Sequence, residues 1–172
     1  MTIDVAKSGR YIWLLVMALL LSACGFQLRG TVELPAIMAN TYVDGDRYPD
    51  LSRSLRDQLQ GSNVQLVESA AIASAQIRLL SETRGRRILS VDVNGQANAY
   101  ELVYQVSFEL VDADGKILLA RQSLSRSRDL NVSGGNLLGK SREQQQIYDT
   151  LVLSMASAIL QRIQYSRLEI PE

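Results

Sequence analysis

The 172-residue sequence predicts an α+β two-layer sandwich: an antiparallel or mixed sheet with two helices packed on one face. Three observations carry that expectation. Leu51, Leu55 and Leu59, and again Ile147, Leu151, Met155, Ile159 and Ile163, recur every four residues, so each segment winds into a helix with one apolar stripe. Tyr100, Leu102, Tyr104, Val106, Phe108 and Leu110 alternate with polar residues, the period of a strand with one buried face and one wet face. Asn94-Gly95 and Asp112-Ala113-Asp114-Gly115 are turn signals at the two ends of that strand, which joins it to its neighbours by hairpins.

Before these elements comes a segment of a different kind. Lys7 and Arg10 form a short basic start, and Tyr11 to Leu21 form an apolar run too short to span a bilayer but long enough for an export signal. Leu21-Ser22-Ala23-Cys24 follows, with small residues before a cleavage point and a cysteine directly after it. The expectation is a lipoprotein signal peptide over residues 1–23, removed on export. A diacylglycerol thioether then forms on Cys24, with an acyl chain such as palmitate on its new amine. At about 0.8 kcal/mol per buried CH₂, three chains hold far more firmly than one. Gly25 stands where an aspartate would resemble an inner-membrane retention signal, so bacterial sorting patterns point to the outer membrane.

The mature part is expected to hold one domain over residues 24–164 and a frayed tail over 165–172. A chain of about 150 residues can bury roughly 70% of its unfolded surface, so no second domain is needed. Gly25 to Gly30 reads as a short extended stretch, and Ala39 to Asp44 as a strand ending at the turn-forming Gly45. The first helix follows Pro49 and Asp50, with Asp50 as the expected N-cap and Gly61 as the stop. Val64 to Val67 reads as a short strand, and Ser69 to Ala75 as a connection of open shape. An extended segment then runs from Ile77 and Leu79 through a bend at Arg84-Gly85-Arg86-Arg87 to Val91. At Asn94-Gly95 both positions readily take positive φ. Ile117 to about Leu130 returns as a long strand, Ser133 to Asn136 is a loop, and Ser141 with Gln144 forms a capping box for the last helix.

Composition excludes much chemistry. Histidine is absent, which removes the commonest general base and metal ligand, and with it any Ser-His-Asp arrangement. The single cysteine lies in the export signal, so no intramolecular disulfide forms. No phosphate loop, dinucleotide fingerprint or other cofactor motif occurs, and an enzyme is not expected. Lys plus Arg and Asp plus Glu balance at 18 each, and loss of Asp4, Lys7 and Arg10 keeps the balance near neutral, so nothing attracts nucleic acid to the domain as a whole. Recognition of anions must be local. Arg84, Arg86 and Arg87 form one basic group, Arg121, Arg126 and Arg128 lie along the later strand, and Lys140 and Arg142 mark the entrance of the last helix. Clustered guanidinium groups bind phosphates through bidentate charge-assisted bonds. The bland alternative is that these charges keep a sheet edge soluble.

Cys24-Gly25-Phe26-Gln27-Leu28-Arg29-Gly30 resembles the mature start of the LptE family of lipopolysaccharide-assembly lipoproteins. The helix from Leu51 to Leu59 with the strand after it, Asn94-Gly95-Gln96 leading into Ala99-Tyr100-Glu101-Leu102, and the last helix after Lys140 resemble it as well. The resemblance implies an α/β sandwich that plugs the lumen of the large β-barrel LptD, helps it assemble, and forms with it the complex that inserts lipopolysaccharide in the outer leaflet of the outer membrane. It implies a lipid-anchored protein on the periplasmic side and inside the barrel lumen. Arg84, Arg86, Arg87 and Lys140 are then the candidates for direct contact with lipopolysaccharide. The sequence departs from the family at the tip before Asn94-Gly95, where Asp92 and Val93 stand in place of a basic residue. Two alternatives stay open: a freestanding periplasmic lipoprotein that binds a lipid or other anion, and, more distantly, an exported hydrolase.

Overall fold

The strand signals close into one five-stranded mixed sheet in the computed structural model, which describes residues 34–62, 64–132 and 137–168. The expected signal peptide, Cys24, the stretch from Gly25 to Gly30 and the loop from Ser133 to Asn136 lie outside the described residues. A 3-10 turn, Ala36–Met38, leads into β1 (Asn40–Asp44), and α1 (Pro49–Gln60) carries the chain to β2 (Gln65–Leu66). A second 3-10 turn, Ala70–Ile72, precedes three long strands: β3 (Ala75–Val91), β4 (Ala97–Asp112) and β5 (Ile117–Asn131). The chain then enters α2 (Leu137–Tyr165). Strand order is β2-β1-β3-β4-β5. The first three strands are mutually parallel, as a β1-α1-β2 crossover requires, and the last three are antiparallel hairpins.

Both helices pack on one face and bury one core. Leu51, Leu55 and Leu59 of α1 and Leu151, Met155, Ile159 and Ile163 of α2 share one buried cluster with Met38, Val43 and Ile77 and with Leu102, Tyr104, Phe108 and Leu110 of β4. The stripe of α2 is wider than the four-residue spacing suggested, because Tyr148, Val152, Ala156 and Leu160 are buried beside it. The helices are tied where Gln58 donates to the Leu153 carbonyl at 3.1 Å and accepts from the Ser157 hydroxyl at 2.9 Å. At the C-terminal end Leu168 rests partly buried against the core.

Three local expectations are corrected. Asp50 is not the N-cap: Tyr48 holds that place, Pro49 supplies the preset φ of the first helical position, and Asp50 lies in the first turn, where its charge suits the helix dipole. Gly61, as expected, ends α1 as its C-cap. Ser141 does not cap α2, which begins a full turn earlier at Leu137. At Asn94-Gly95 only Gly95 takes positive φ, at 76°. The turn is a longer loop in which Asp92 Oδ1 accepts from the amides of Asn94 (2.8 Å) and Gln96 (2.9 Å). The Asp112 turn repeats that design, with Gly115 at φ 82° and Asp112 Oδ1 accepting from the amides of Asp114 and Lys116. Gly45 is required for space: an added Cβ would lie 2.7 Å from Leu79 Cδ1.

Beyond Arg78, β3 has no neighbour on its outer side among the described residues, because β1 pairs only with Ala75 to Arg78. The sheet therefore continues as a three-stranded blade. Its distal end carries the second half of β3, the first half of β4 and the second half of β5.

Candidate functional site

Pairing register decides where the candidate cations point. Regular pairing of β3 with β4 is broken at Leu80 and again at Leu89, each an extra residue without a partner on β4. Between these bulges the pairing is regular, so the irregularities lie on either side of Arg84 to Arg87 rather than within it. Alternation then divides the basic group. Arg84 and Arg86, opposite Tyr104 and Leu102, share the helix-covered face, and Arg87, opposite Glu101, lies on the open face.

Each arginine of this group has an internal neighbour. Arg84 forms ion pairs with Asp50 at 3.2 Å and Glu82 at 3.1 Å, and its guanidinium lies 5.8 Å from the Tyr104 ring and 5.6 Å from the Tyr148 ring. Partial burial works against its charge, yet the bond to Asp50 and the field of Glu82 hold Arg84 above its ordinary pKa. Tyr104 is fully buried; burial, followed by the Glu82 carboxylate, raises its phenol far above its usual value. Tyr148 donates to the Gly85 carbonyl at 2.8 Å, which fixes its ring against Arg84. Arg87 pairs with Glu101 across the strands, and hydrogen bonds from Ser127 and Arg87 hold that carboxyl below its ordinary range. Arg86 has no acidic partner among the described residues and stacks 4.4 Å over the Tyr100 ring, which leaves its charge available.

Lys140 lies in the first turn of α2, where its amine donates to the Asn131 carbonyl at the end of β5 and pairs with Glu143 at 3.2 Å. Asn131 pairs with Ala99, and Ser90 of β3 pairs with the same residue, so Lys140 belongs to the same distal end as Arg86. The four candidates are thus gathered at one end of the blade but not in one pocket. Ile88, Leu89, Val91 and Val93 are exposed on the β3 side of that end, which makes it both cationic and apolar.

Two of the basic residues noted on the later strand, though not among the four candidates, are better placed. Register sets Arg126 beside Tyr104 and Arg128 beside Leu102, on the β5 side of the same face. Neither forms an ion pair among the described residues. The open face is different in character. Ser107 and Ser123 share a hydrogen bond at 2.9 Å, Ser125 and Ser127 continue the row, and Arg78–Glu109 and Arg87–Glu101 pair across it, while exposed Asp129 lies opposite Glu101 on the same face. Among the described residues no cluster of acidic or cysteine side chains could hold a metal ion, and no helix is long and apolar enough to cross a membrane.

Residues 38–163 match the family model LptE, described as lipopolysaccharide-assembly. The chain belongs to the LptE family. One curated relative, the LPS-assembly lipoprotein LptE of Photorhabdus laumondii, is 32% identical over 116 residues, 66% of this chain. That match spans 64% of the relative, somewhat less than two thirds of its length. Among solved structures, lipoprotein B from Nitrosomonas europaea superposes with a TM-score of 0.67 at 28% identity, over 81% of this chain and 90% of its own. The rare lipoprotein B from Shewanella oneidensis superposes at 0.63 with 28% identity, over 72% and 92%. The α+β sandwich and the LptE resemblance expected from the sequence both hold.

Proposed function

We propose that this LptE-family chain is a lipid-anchored, non-enzymatic component of the lipopolysaccharide-assembly machinery at the outer membrane. In this reading it plugs the LptD β-barrel, helps it assemble and contacts lipopolysaccharide directly. The observation that carries the proposal is the family match over residues 38–163, which includes the whole sheet and nearly all of α2. Physical features support it. A wet, serine-rich sheet face whose hydroxyls can donate and accept hydrogen bonds suits a polar lumen, where a polar group left without a partner would be costly to desolvate. An end that is both cationic and apolar suits a phosphorylated lipid, whose headgroup and chains need both. Nothing in that role requires a covalent change to the substrate.

Detergent extraction of the full chain followed by mass identification of whatever co-purifies is the direct test. A large β-barrel is the expected partner. Recovery of the chain alone would favour the freestanding lipoprotein instead, and depletion that leaves surface lipopolysaccharide unchanged would overturn the assembly role. For the anchor, Cys24→Ser is expected to abolish labelling by radioactive fatty acid, and persistent label would refute attachment at that residue.

A further inference from the structure

We propose that the groove between β5 and the first turns of α2, lined by Arg128, with Arg126 next along the same face of β5 and Lys140 adjoining through Glu143, binds the phosphates of an anionic lipid headgroup. The proposal rests on the lipopolysaccharide reading above and says which cations take the phosphates. Arg128, Glu143, Gln146, Ile147 and Thr150 line a groove of about 240 Å³. Glu143 also pairs with Lys140, so the amine and the groove are contiguous. Both arginines are exposed and have no acidic partner among the described residues, whereas Arg84 is held by two carboxylates and Arg87 by one. The cations available on this flank are therefore Arg126 and Arg128, with Lys140 once an incoming anion displaces Glu143.

Guarding the outer edge of β5 would account for charge on that strand. It does not account for the face. Alternation places both arginines on the side that carries the groove and Lys140, while Ser123, Ser125 and Ser127 take the other side. Two guanidinium forks one strand repeat apart can each take a phosphate oxygen pair, and Ile147 supplies an apolar surface beside them. Glu143 is an internal competitor. Its carboxylate occupies Lys140 when no anion is present, so its removal strengthens anion binding rather than weakening it.

The test uses the purified full chain in detergent and fluorescent lipopolysaccharide, intact or with its lipid phosphates removed enzymatically. Arg126→Ala with Arg128→Ala is expected to weaken binding of the intact form by about tenfold, with Arg126→Lys and Arg128→Lys in between. The dephosphorylated form should bind the wild type and the double variant alike. Glu143→Gln is expected to tighten binding of the intact form by about threefold, and Arg121→Ala, near the other end of β5, to stay within about twofold of wild type. Melting curves should superpose, since both arginines are exposed. Unchanged affinity in the double variant, or wild-type binding that ignores the phosphates, overturns the groove. Inorganic phosphate that competes as strongly as the lipid would overturn its assignment to a headgroup. Co-purification of a barrel with wild type and double variant alike leaves the plug reading standing whatever the binding data say of the groove.

Discussion

Arg84 and Arg86 on β3, and Arg126 and Arg128 on β5, occupy matching places on either side of β4. Arg84 and Arg126 flank Tyr104, and Arg86 and Arg128 flank Leu102, all on the face that α2 crosses. Their surroundings differ. On the β3 side α1 brings Asp50, β3 itself brings Glu82, and the Tyr100, Tyr104 and Tyr148 rings receive the guanidinium groups. On the β5 side α2 presents Gln146, Ile147 and Thr150, and the carboxylate that lines the groove with them, Glu143, is already bonded to Lys140. Arg84 is thereby built into the fold, and Arg126 and Arg128 are left for a ligand. Similar residue types at similar registers acquire different roles because charge is available only where neighbouring elements leave it unpaired.

The largest expected effect removes what separates the two sides. Leu102 is fully buried beneath α2, between Arg86 and Arg128, and Leu102→Ala should destabilise the domain by about 2–5 kcal/mol in a denaturant titration. A loss below 1 kcal/mol would mean that α2 does not seal this line. A smaller effect should make the two sides alike. Asp50→Asn with Glu82→Gln releases Arg84, with an expected cost of about 1 kcal/mol in stability. Binding of phosphorylated lipopolysaccharide should rise at the same time. Unaltered binding would show that the aromatic rings, not the carboxylates, withdraw Arg84 from solution.

The smallest effect concerns the turn above both sides. Asp92 accepts backbone hydrogen bonds from Gln96 and Asn94, which hold its carboxyl below its ordinary value. A depressed folded-state pKa contributes stability that is present above the unfolded value and is lost as pH falls through the folded one. The amide resonances of Asn94 and Gln96 should therefore titrate below the ordinary carboxyl range of about 4, and Asp92→Asn should abolish that titration. Titration at the ordinary value would show that the turn does not depend on the charge.

Much of the fold was legible because its signals are local. The period of Tyr100 to Leu110, the stripes of α1 and α2, and the glycines of the two hairpin turns each report a conformation fixed within a few residues. Helix boundaries were less legible. Asp50 and Ser141 have the chemistry of caps, but Pro49 and the earlier start at Leu137 set where the helices begin. The candidate site was legible only as composition, since a cluster of arginines in sequence does not reveal which carboxylates will meet them.

The sequence by itself determined the layers, the hairpins and the one apolar face on each helix, because backbone periodicity and turn chemistry act over short distances. Tertiary structure decided the site. Alternation from Ile77 and Leu79 would have turned Ser81, Thr83, Gly85 and Arg87 toward the helices, but the bulge at Leu80 reverses the faces and turns Glu82, Arg84 and Arg86 there instead. A one-residue shift in pairing is decided by how the whole sheet packs against α1 and α2, and no window of sequence contains that information.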